Sequence, residues 1–203
     1  GSKNIRIGYG KLNSATRQTP IESMNSSVRT GAKAALLDAI YLTGANGGTP
    51  LRRALRDAGR HFECRRNDIF NSGQDTLPGE NGCPVFAAPA GNCQQNFALL
   101  ISDGAWTGRS PFIGDADDDT DSGDPTDTEF DAGRYAGGYD NSLADVAMHY
   151  YERDLHPTLL NEVPTSARDI DGAAEDAFED SDNVLMHQHM KTYVIGFVVV
   201  GTV

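Results

Sequence analysis

The hydrophobic pattern changes period along the chain, and each change predicts an element. Residues 5–9 alternate apolar and polar side chains as a β-strand does, whereas residues 30–43 carry apolar side chains at helical spacing. A second amphipathic helix is expected after Thr49 and Pro50, because threonine suits the N-cap and proline the first helical position. The polar stretch 11–28 is interpreted as a loop with one short edge strand.

The stretch 96–104 is predicted to be a strand that is apolar on both faces and breaks at Asp103. This pattern is typical of a central strand in a sheet covered by helices on both sides. Residues 191–200 are predicted to form a second buried strand, and Ser142 with Asp145 supplies capping-box chemistry for a helix between the two. Strands separated by amphipathic helices predict an α/β fold, with a doubly wound, mostly parallel sheet and helices on both faces.

The chain of 203 residues is long enough for one sizeable core, and its pattern predicts a single domain over 1–203. Three polar or Gly- and Pro-rich stretches are interpreted as insertions, at about 63–95, 105–140 and 157–188. A short helix is expected inside the third, over 173–178. The apolar runs fall well short of the roughly 18 residues of a membrane span, so we expect no membrane insertion of this segment.

The net charge of -12 comes from two segments. Residues 115–131 hold nine acidic side chains and residues 169–182 hold seven, and neither segment contains lysine or arginine. Without these acids the rest of the chain would carry a charge of +4. Because nucleic-acid binding needs clustered basic side chains to displace counterions, this distribution argues against it and favours cation binding or solvation at the acidic segments.

The first acidic segment carries a candidate calcium loop in which aspartates alternate with other residues. The candidate ligands are Asp115, Asp117, Asp119 and Asp121. The loop is not an EF-hand, because Thr120 stands where that loop needs glycine and Thr126 where it needs a bidentate glutamate. Several carboxylates in a short glycine-containing loop can still gather around Ca²⁺. The alternative is a solvated acidic loop.

The three cysteines, Cys64, Cys83 and Cys93, lack the paired spacing of a zinc site. The pattern favours an exported protein with one disulfide and one leftover thiol, and we expect Cys93 to be bonded to one of the other two. Three free thiols in a cytosolic protein are the alternative. His187 and His189 would face the same way on a strand, but no third metal ligand is evident in the sequence around them.

Asp103 is a candidate site residue, because a carboxylate at the carboxyl end of a strand points into the crevice where open α/β sheets bind ligands. The alternative is a tight turn in which Asp103 accepts hydrogen bonds from the following amides. The helix start at Thr49 can lie at the same crevice, and hydroxyl and carboxylate oxygens are ligands that Mg²⁺ takes. No nucleophile with a partner base stands out, so the sequence predicts a binding module and no enzyme. A Mg²⁺-dependent hydrolase using Asp103 is the competing hypothesis.

The Gly-Thr-Pro motif at Thr49 and the Ser-Asp-Gly motif at Asp103 resemble two of the three loops of the metal-ion-dependent adhesion site in von Willebrand factor A domains. Four longer segments strengthen the likeness, and together they resemble the A-type domain of the type IV pilus tip adhesins, the PilC/PilY family. These segments are Thr49–Leu55, Cys93–Trp106, Ser142–Met148 and Met190–Phe197.

This resemblance implies an exported adhesion or assembly module at the cell surface, at the pilus tip or the outer membrane. Its partner would be a protein, either a minor pilin or a host or surface receptor, and a purely structural pilus subunit is the alternative. The family's Asp-x-Ser-x-Ser motif, at the end of the first strand, does not occur in this sequence. The domain is therefore expected to be incomplete at its N-terminus, and Thr49 and Asp103 are expected to bind Mg²⁺ weakly or not at all.

Overall fold

The structure, a computed structural model of the chain, is described for residues 5–13, 17–25, 29–44, 47–64, 83–103, 106–117, 137–165 and 184–197. Its elements are β1 (Arg6–Gly10), β2 (Arg17–Ser23), α1 (Gly31–Tyr41), α2 (Leu51–Phe62), β3 (Asn96–Ser102), α3 (Leu143–Glu152), β4 (Val163–Thr165), β5 (Val184–Met186) and β6 (Met190–Gly196).

The strands form three two-stranded sheets within the described ranges. β1 pairs with β2 antiparallel, and the short strands β4 and β5 also pair antiparallel. β3 and β6 pair in parallel without a register shift, from Asn96 opposite Met190 to Ser102 opposite Gly196. A parallel pair needs a crossover connection, and α3 lies between the two strands in sequence and contacts β6. This pair and its helices confirm the coarse α/β prediction.

The hydrophobic core lies between α2, α3 and one face of β3. We call this the inner face, and it consists of Asn96, Ala98, Leu100 and Ser102. α2 contributes Leu55 and α3 contributes Val146 and Tyr150, and these three side chains are at most 2% exposed. The two helices approach closely because residue 59 is glycine, and a side chain at Gly59 would overlap the Tyr150 ring. Each fully buried large apolar side chain contributes about 1.5–3 kcal/mol, so this packing is the main source of stability.

The other face of the parallel pair, which we call the outer face, is apolar and exposed. It consists of Phe97, Leu99, Ile101, Tyr193, Ile195 and Phe197. Their exposed fractions lie between 46% and 62%. The prediction that both faces of β3 are buried is therefore wrong for the described part of the chain, because α2 and α3 both pack on the inner face. The buried strand predicted over 191–200 is likewise exposed from Tyr193 to Phe197, and residues 198–200 lie outside the described residues.

Local chemistry sets the start of α3 as predicted, but not the start of α2. Ser142 Oγ accepts a hydrogen bond from the Asp145 N–H at 3.1 Å, and Asp145 Oδ2 accepts one from the Ser142 N–H at 2.6 Å, so the capping box is present. α2 begins one residue later than predicted, with Pro50 in the cap position and no side-chain cap. The backbone of Thr49 is instead bonded to Thr107.

The stretch interpreted as an insertion over 157–188 contains β4 and β5, which have three residues each. Strands this short carry too little alternation to be recognised in the sequence. The edge strand expected within 11–28 is β2, and the helix predicted over 173–178 lies outside the described residues. In the described part of the chain, no helix combines the length and the apolar character needed to cross a bilayer.

Cys64 and Cys83 form a disulfide, and Cys93 is a free, exposed thiol. One disulfide with a leftover thiol is thus confirmed, whereas the predicted pairing of Cys93 is wrong. Cys64 is the second residue after α2, and its Cα lies 4.7 Å from that of Cys83, within the range that a disulfide needs. Sequence position alone could not select between the partners, because the choice depends on which chain segments meet at the end of α2.

Candidate functional site

Three aspartates form a compact group beside the start of α3, which we call the acidic cluster. Asp115 and Asp117 belong to the predicted calcium loop, and Asp145 lies in the first turn of α3. A carboxylate oxygen from each lies within 4.8 Å of the other two. Asp117 and Asp145 are buried, with exposed fractions of 2% and 0%, and Asp115 is half-buried.

Asp145 holds the segment 115–117 against α3. Its Oδ1 accepts hydrogen bonds from the backbone N–H groups of Ala116 at 2.8 Å and Asp117 at 3.3 Å. Its Oδ2 accepts from the Ser142 N–H as part of the capping box. One side chain therefore fixes both the helix start and the loop that arrives there.

Asn141, just before α3, also holds the preceding chain in place through hydrogen bonds. Its Oδ1 accepts hydrogen bonds from the N–H groups of Ile113 at 2.8 Å and Gly114 at 3.1 Å. Its own N–H donates to the Gly114 carbonyl at 2.7 Å. Asn141 has a left-handed φ of 60°, a conformation in which asparagine is enriched. The chain leading into the acidic cluster is thus held by both Asn141 and Asp145.

A hydrogen bond from the Gly137 N–H to Asp117 Oδ1, at 2.9 Å, joins the two ends of the stretch 118–136. A Cβ atom at Gly137 would lie 2.8 Å from Asp117 Oδ2, so glycine permits this close approach. The stretch between them contains Asp119 and Asp121 and lies outside the described residues. The ligand roles predicted for these two aspartates stay predictions.

The acidic cluster has the chemistry of a cation site. Three carboxylates this close repel one another, and the backbone N–H groups bonded to Asp117 and Asp145 offset part of this repulsion. Carboxylate oxygens are the ligands that Ca²⁺ prefers. The positive dipole end at the start of α3 stabilises the carboxylates themselves and does not favour a cation. Sequence reasoning identified Asp115 and Asp117 but not Asp145, because the capping box explained that residue. The sequence holds no local signal for this role, because Asp145 meets the other two aspartates only where the chain returns to α3.

Thr49 lies at the start of α2, and Asp103 directly follows β3. The Thr107 N–H donates to the Thr49 carbonyl at 2.8 Å, and Thr107 Oγ1 accepts from the Thr49 N–H at 2.8 Å. A Cβ atom at Gly48 would lie 2.7 Å from Thr107 Oγ1, which explains the glycine at this position. The end of β3 and the start of α2 therefore meet through Thr107, at one edge of the sheet. Asp103 is exposed there, and its role as a Mg²⁺ ligand stays a prediction.

Two arginines of α2 hold the chain that follows β3. The Arg52 guanidinium lies 3.8 Å from the centroid of the exposed Trp106 ring and donates to the Asn141 carbonyl at 2.9 Å. Arg56 is buried and donates to the Pro111 carbonyl at 3.1 Å. Arg52 thus links Trp106, which follows Asp103 closely in the sequence, to Asn141 beside the acidic cluster.

His187 and His189 are both buried next to the start of β6, with ring centroids 6.1 Å apart. Within the described ranges neither belongs to a group of three potential metal ligands. Burial lowers the pKa of His187 and outweighs the nearby charge of Asp154, which raises it. Burial therefore favours the neutral form of this histidine.

Comparison with known proteins connects the chain to a bacterial pilus protein. It is 24% identical over 199 residues to the type IV pilus biogenesis factor PilY1 of Pseudomonas aeruginosa strain UCBPP-PA14, a match that covers 96% of this chain and 16% of that protein. It is 29% identical over 153 residues to PilY1 of strain PAO1, covering 74% of this chain and 12% of that protein. The chain thus spans less than a fifth of the length of these curated relatives. No family model and no solved structure matches the chain.

Proposed function

We propose that this chain is an adhesion or assembly module of a type IV pilus tip-associated protein. The observation that carries the proposal is the similarity to PilY1, a type IV pilus biogenesis factor, over 96% of the chain. The proposed location is outside the cytoplasm, at the cell surface, the pilus tip or the outer membrane. A disulfide such as Cys64–Cys83 persists in those compartments. The proposed fold is that of a von Willebrand factor A domain, and the parallel pair of β3 and β6 with its helices supports it.

The proposed partner is a protein, a minor pilin or a host or surface receptor, and we assign its contact to the outer face. The side chains of the outer face are large and apolar, and each is about half exposed. Contiguous exposed apolar patches of this kind mark interaction sites on soluble domains. The two aromatic rings of Phe97 and Tyr193 lie side by side there, with centroids 6.1 Å apart.

We further propose that Ca²⁺ binds at the acidic cluster, with Asp119 and Asp121 as additional ligands. Three carboxylate oxygens within 4.8 Å of one another support this site. Mg²⁺ binding by Thr49 and Asp103 is expected to be weak or absent. Two protein ligands would replace little of the ordered hydration shell that Mg²⁺ gives up reluctantly.

The proposed activity is binding, and the competing hypothesis is a Mg²⁺-dependent hydrolase centred on Asp103. Hydrolysis needs a positioned nucleophile or general base next to an open metal position. Phosphoester turnover with Mg²⁺ or Mn²⁺ that is abolished in Asp103→Ala would overturn the binding proposal. A purely structural subunit is the other alternative, and it would show no cation dependence.

Exchange of the matching region of P. aeruginosa PilY1 for this chain tests the pilus role. We expect the chimera to support surface piliation and twitching motility, and a secreted, folded chimera without pili would contradict the proposal. In that chimera, replacing Leu99 and Ile101 by serine removes part of the outer face and should reduce motility. Ile40→Ser is the matched control, because Ile40 is 46% exposed on α1, away from the outer face.

A calcium titration tests the acidic cluster. Extracellular calcium sites bind in the range of ~10⁻⁴ to 10⁻³ M, so the melting temperature should rise as Ca²⁺ reaches millimolar concentration. A hundredfold excess over Kd adds about 2.7 kcal/mol to the free energy of unfolding. Asp117→Asn should remove most of this rise, whereas Asp140→Asn removes one exposed charge outside the cluster and should keep it. Unchanged wild-type melting from chelator to several millimolar Ca²⁺ would establish the solvated-loop alternative.

A further inference from the structure

A second group of potential metal ligands lies at the C-terminal end of α2. It consists of Cys64 two residues after α2, Cys83 ahead of β3, and His156 after α3. Their sulfur and nitrogen atoms lie within 4.8 Å of one another, and Cys64 Sγ is 3.6 Å from His156 Nε2. Cys83 is buried, and the other two side chains are half-buried.

Backbone contacts fix the positions of two of these side chains. The His156 N–H donates to Asp154 Oδ1 at 2.8 Å, and the ring Nε2 lies 2.6 Å from the Phe62 carbonyl oxygen. Cys64 has a left-handed φ of 59°, at a position after a helix where glycine is usual. Its N–H donates to the His61 carbonyl at 3.0 Å. A non-glycine residue is strained in this conformation, so the contacts around Cys64 must hold it there.

The spacing of the Cys64 sulfur and the His156 ring nitrogen agrees with that around zinc. Zn²⁺ in proteins is mostly tetrahedral, with Zn–S bonds of about 2.3 Å and Zn–N bonds of about 2.0 Å. In such a tetrahedron a sulfur and a nitrogen ligand lie about 3.5 Å apart, and Cys64 Sγ and His156 Nε2 are 3.6 Å apart. Two sulfur ligands lie about 3.8 Å apart. Rotation of the two reduced cysteine side chains reaches that separation, because their Cα atoms are 4.7 Å apart.

The electrostatics at the end of α2 favour a cation over an isolated thiolate. The last carbonyl groups of a helix form the negative end of its dipole, which stabilises positive charge nearby. Here the Phe62 carbonyl oxygen lies 3.7 Å from Cys64 Sγ and 2.6 Å from His156 Nε2. Reactive thiolates are found instead at helix N-termini or beside basic side chains. A divalent ion that neutralises two thiolates fits this position better than a redox-active pair does.

We propose that the dithiol form of the protein binds one Zn²⁺ through Cys64 Sγ, Cys83 Sγ and His156 Nε2, with water in the fourth position. The dithiol form exists before the cysteines are oxidised, and it forms again when a dithiol reductant transfers two electrons and two protons to the sulfur pair. Zn²⁺ displaces both thiol protons. The imidazole gives up the hydrogen bond from Nε2 to the Phe62 carbonyl, and it binds zinc as the tautomer protonated on Nδ1. Zinc and the disulfide exclude each other, and each ties together the end of α2 and the chain before β3.

The test uses the full chain, kept reduced by a phosphine, with Co²⁺ as a spectroscopic probe and Zn²⁺ as the competitor. We expect one Co²⁺ per chain with the absorption of tetrahedral thiolate ligation, displaced by one Zn²⁺, and no such complex with the oxidised protein. His156→Gln should weaken zinc binding by at least about tenfold, since it removes a direct ligand. Cys93→Ser is the matched control, because that thiol is exposed and outside the group. It should bind as the wild type does.

Circular dichroism recorded in parallel shows whether the reduced chain is folded before the metal is added. If reduction unfolds the chain, Zn²⁺ should restore the folded spectrum at one equivalent, because metal binding is then coupled to folding. Reduced wild-type protein that gives no thiolate-to-cobalt absorption would overturn the proposal. Equal zinc affinity of the wild type and His156→Gln would also overturn it, whether or not the chain is folded.

Discussion

The more hydrophobic of the two faces of β3 is the more exposed one. The inner face carries two polar residues and is at most 9% exposed. The outer face carries the larger apolar side chains Phe97, Leu99 and Ile101, and these are 49–57% exposed. Burial on this strand is therefore decided by the side on which α2 and α3 pack.

The polar residues of the inner face are accommodated by hydrogen bonds. Asn96 Oδ1 accepts from Gln94 Nε2 at 2.8 Å, and Asn96 Nδ2 donates to the His189 carbonyl at 3.3 Å. A buried amide satisfied in this way is compatible with a core, whereas an unsatisfied one is costly. The inner face is thus defined by close packing and hydrogen bonds within the chain. The outer face is defined by apolar side chains that are exposed for contact with another surface.

The largest expected effect is the loss of packing on the inner side. Leu55→Ala should lower the free energy of unfolding by about 2–5 kcal/mol, because it leaves a cavity between α2 and α3. Leu160→Ala is the matched control, since Leu160 is 61% exposed, and it should change stability by less than about 0.5 kcal/mol. Urea denaturation measures both. Equal losses would mean that the contrast between buried and exposed leucines does not hold in solution.

Removal of the inner-face amide should have an intermediate effect. Asn96→Ala removes the partner of the buried His189 carbonyl and one of the two partners of Gln94 Nε2, which should cost about 1–3 kcal/mol. The adjacent Gln95 is exposed and donates to the Pro164 carbonyl at 3.0 Å. Gln95→Ala is expected to cost clearly less in the same denaturation experiment. An Asn96→Ala variant as stable as the wild type would show that hydrogen bonding does not specify the inner face.

The stability of the protein should fall as the pH drops through the range in which histidine titrates. Burial lowers the pKa of His187 below the value of 6.5 that it has when unfolded. The unfolded state therefore binds the proton more readily, so the stabilising effect is complete above that value and is lost as the pH falls below it. Denaturation between about pH 7.5 and about pH 5.5 measures the slope. His187→Gln should flatten it, and an unchanged slope would contradict a buried neutral His187.

The smallest effect on stability is expected on the outer face. Ile101→Thr keeps a β-branched side chain and should change the free energy of unfolding by no more than about 0.5 kcal/mol. It should nevertheless reduce the binding of an apolar dye, because it removes part of the exposed patch. Leu100→Thr on the inner face is the comparison and should destabilise strongly. If Ile101→Thr destabilised the chain to the same extent, the outer face would have to be covered in solution.

The sequence predicted the features that depend on neighbouring residues. The capping box of Ser142 and Asp145 needs only a spacing of three residues, and it forms as expected. The strand at Asn96 and its parallel relation to β6 follow from the alternation of strands and helices. The exposure of the outer face could not be predicted, because the sequence of a strand that is apolar on both faces does not indicate on which face the helices pack.

Features that depend on contacts between residues far apart in the sequence could not be predicted from the sequence. Asp145 joins Asp115 and Asp117 only because the chain returns to the start of α3, 28 residues away from Asp117. His156 meets Cys64 across 92 residues. The roles of Thr49, Asp103, Asp119 and Asp121 as metal ligands stay predictions.

The hydrogen bond between Gly137 and Asp117 joins the two ends of the acidic stretch, so a change in the length of this stretch should leave the core unchanged. Its ends are already joined, so each doubling of the length between them costs only about 0.6 kcal/mol of closure entropy. The start of α3 should not depend on the length of the stretch, because the capping residues Ser142 and Asp145 follow Gly137 in the sequence. Related chains can therefore diverge in length and sequence between residues 117 and 137 without rebuilding the domain. A reporter domain grafted between these two residues should be carried without disturbing the core.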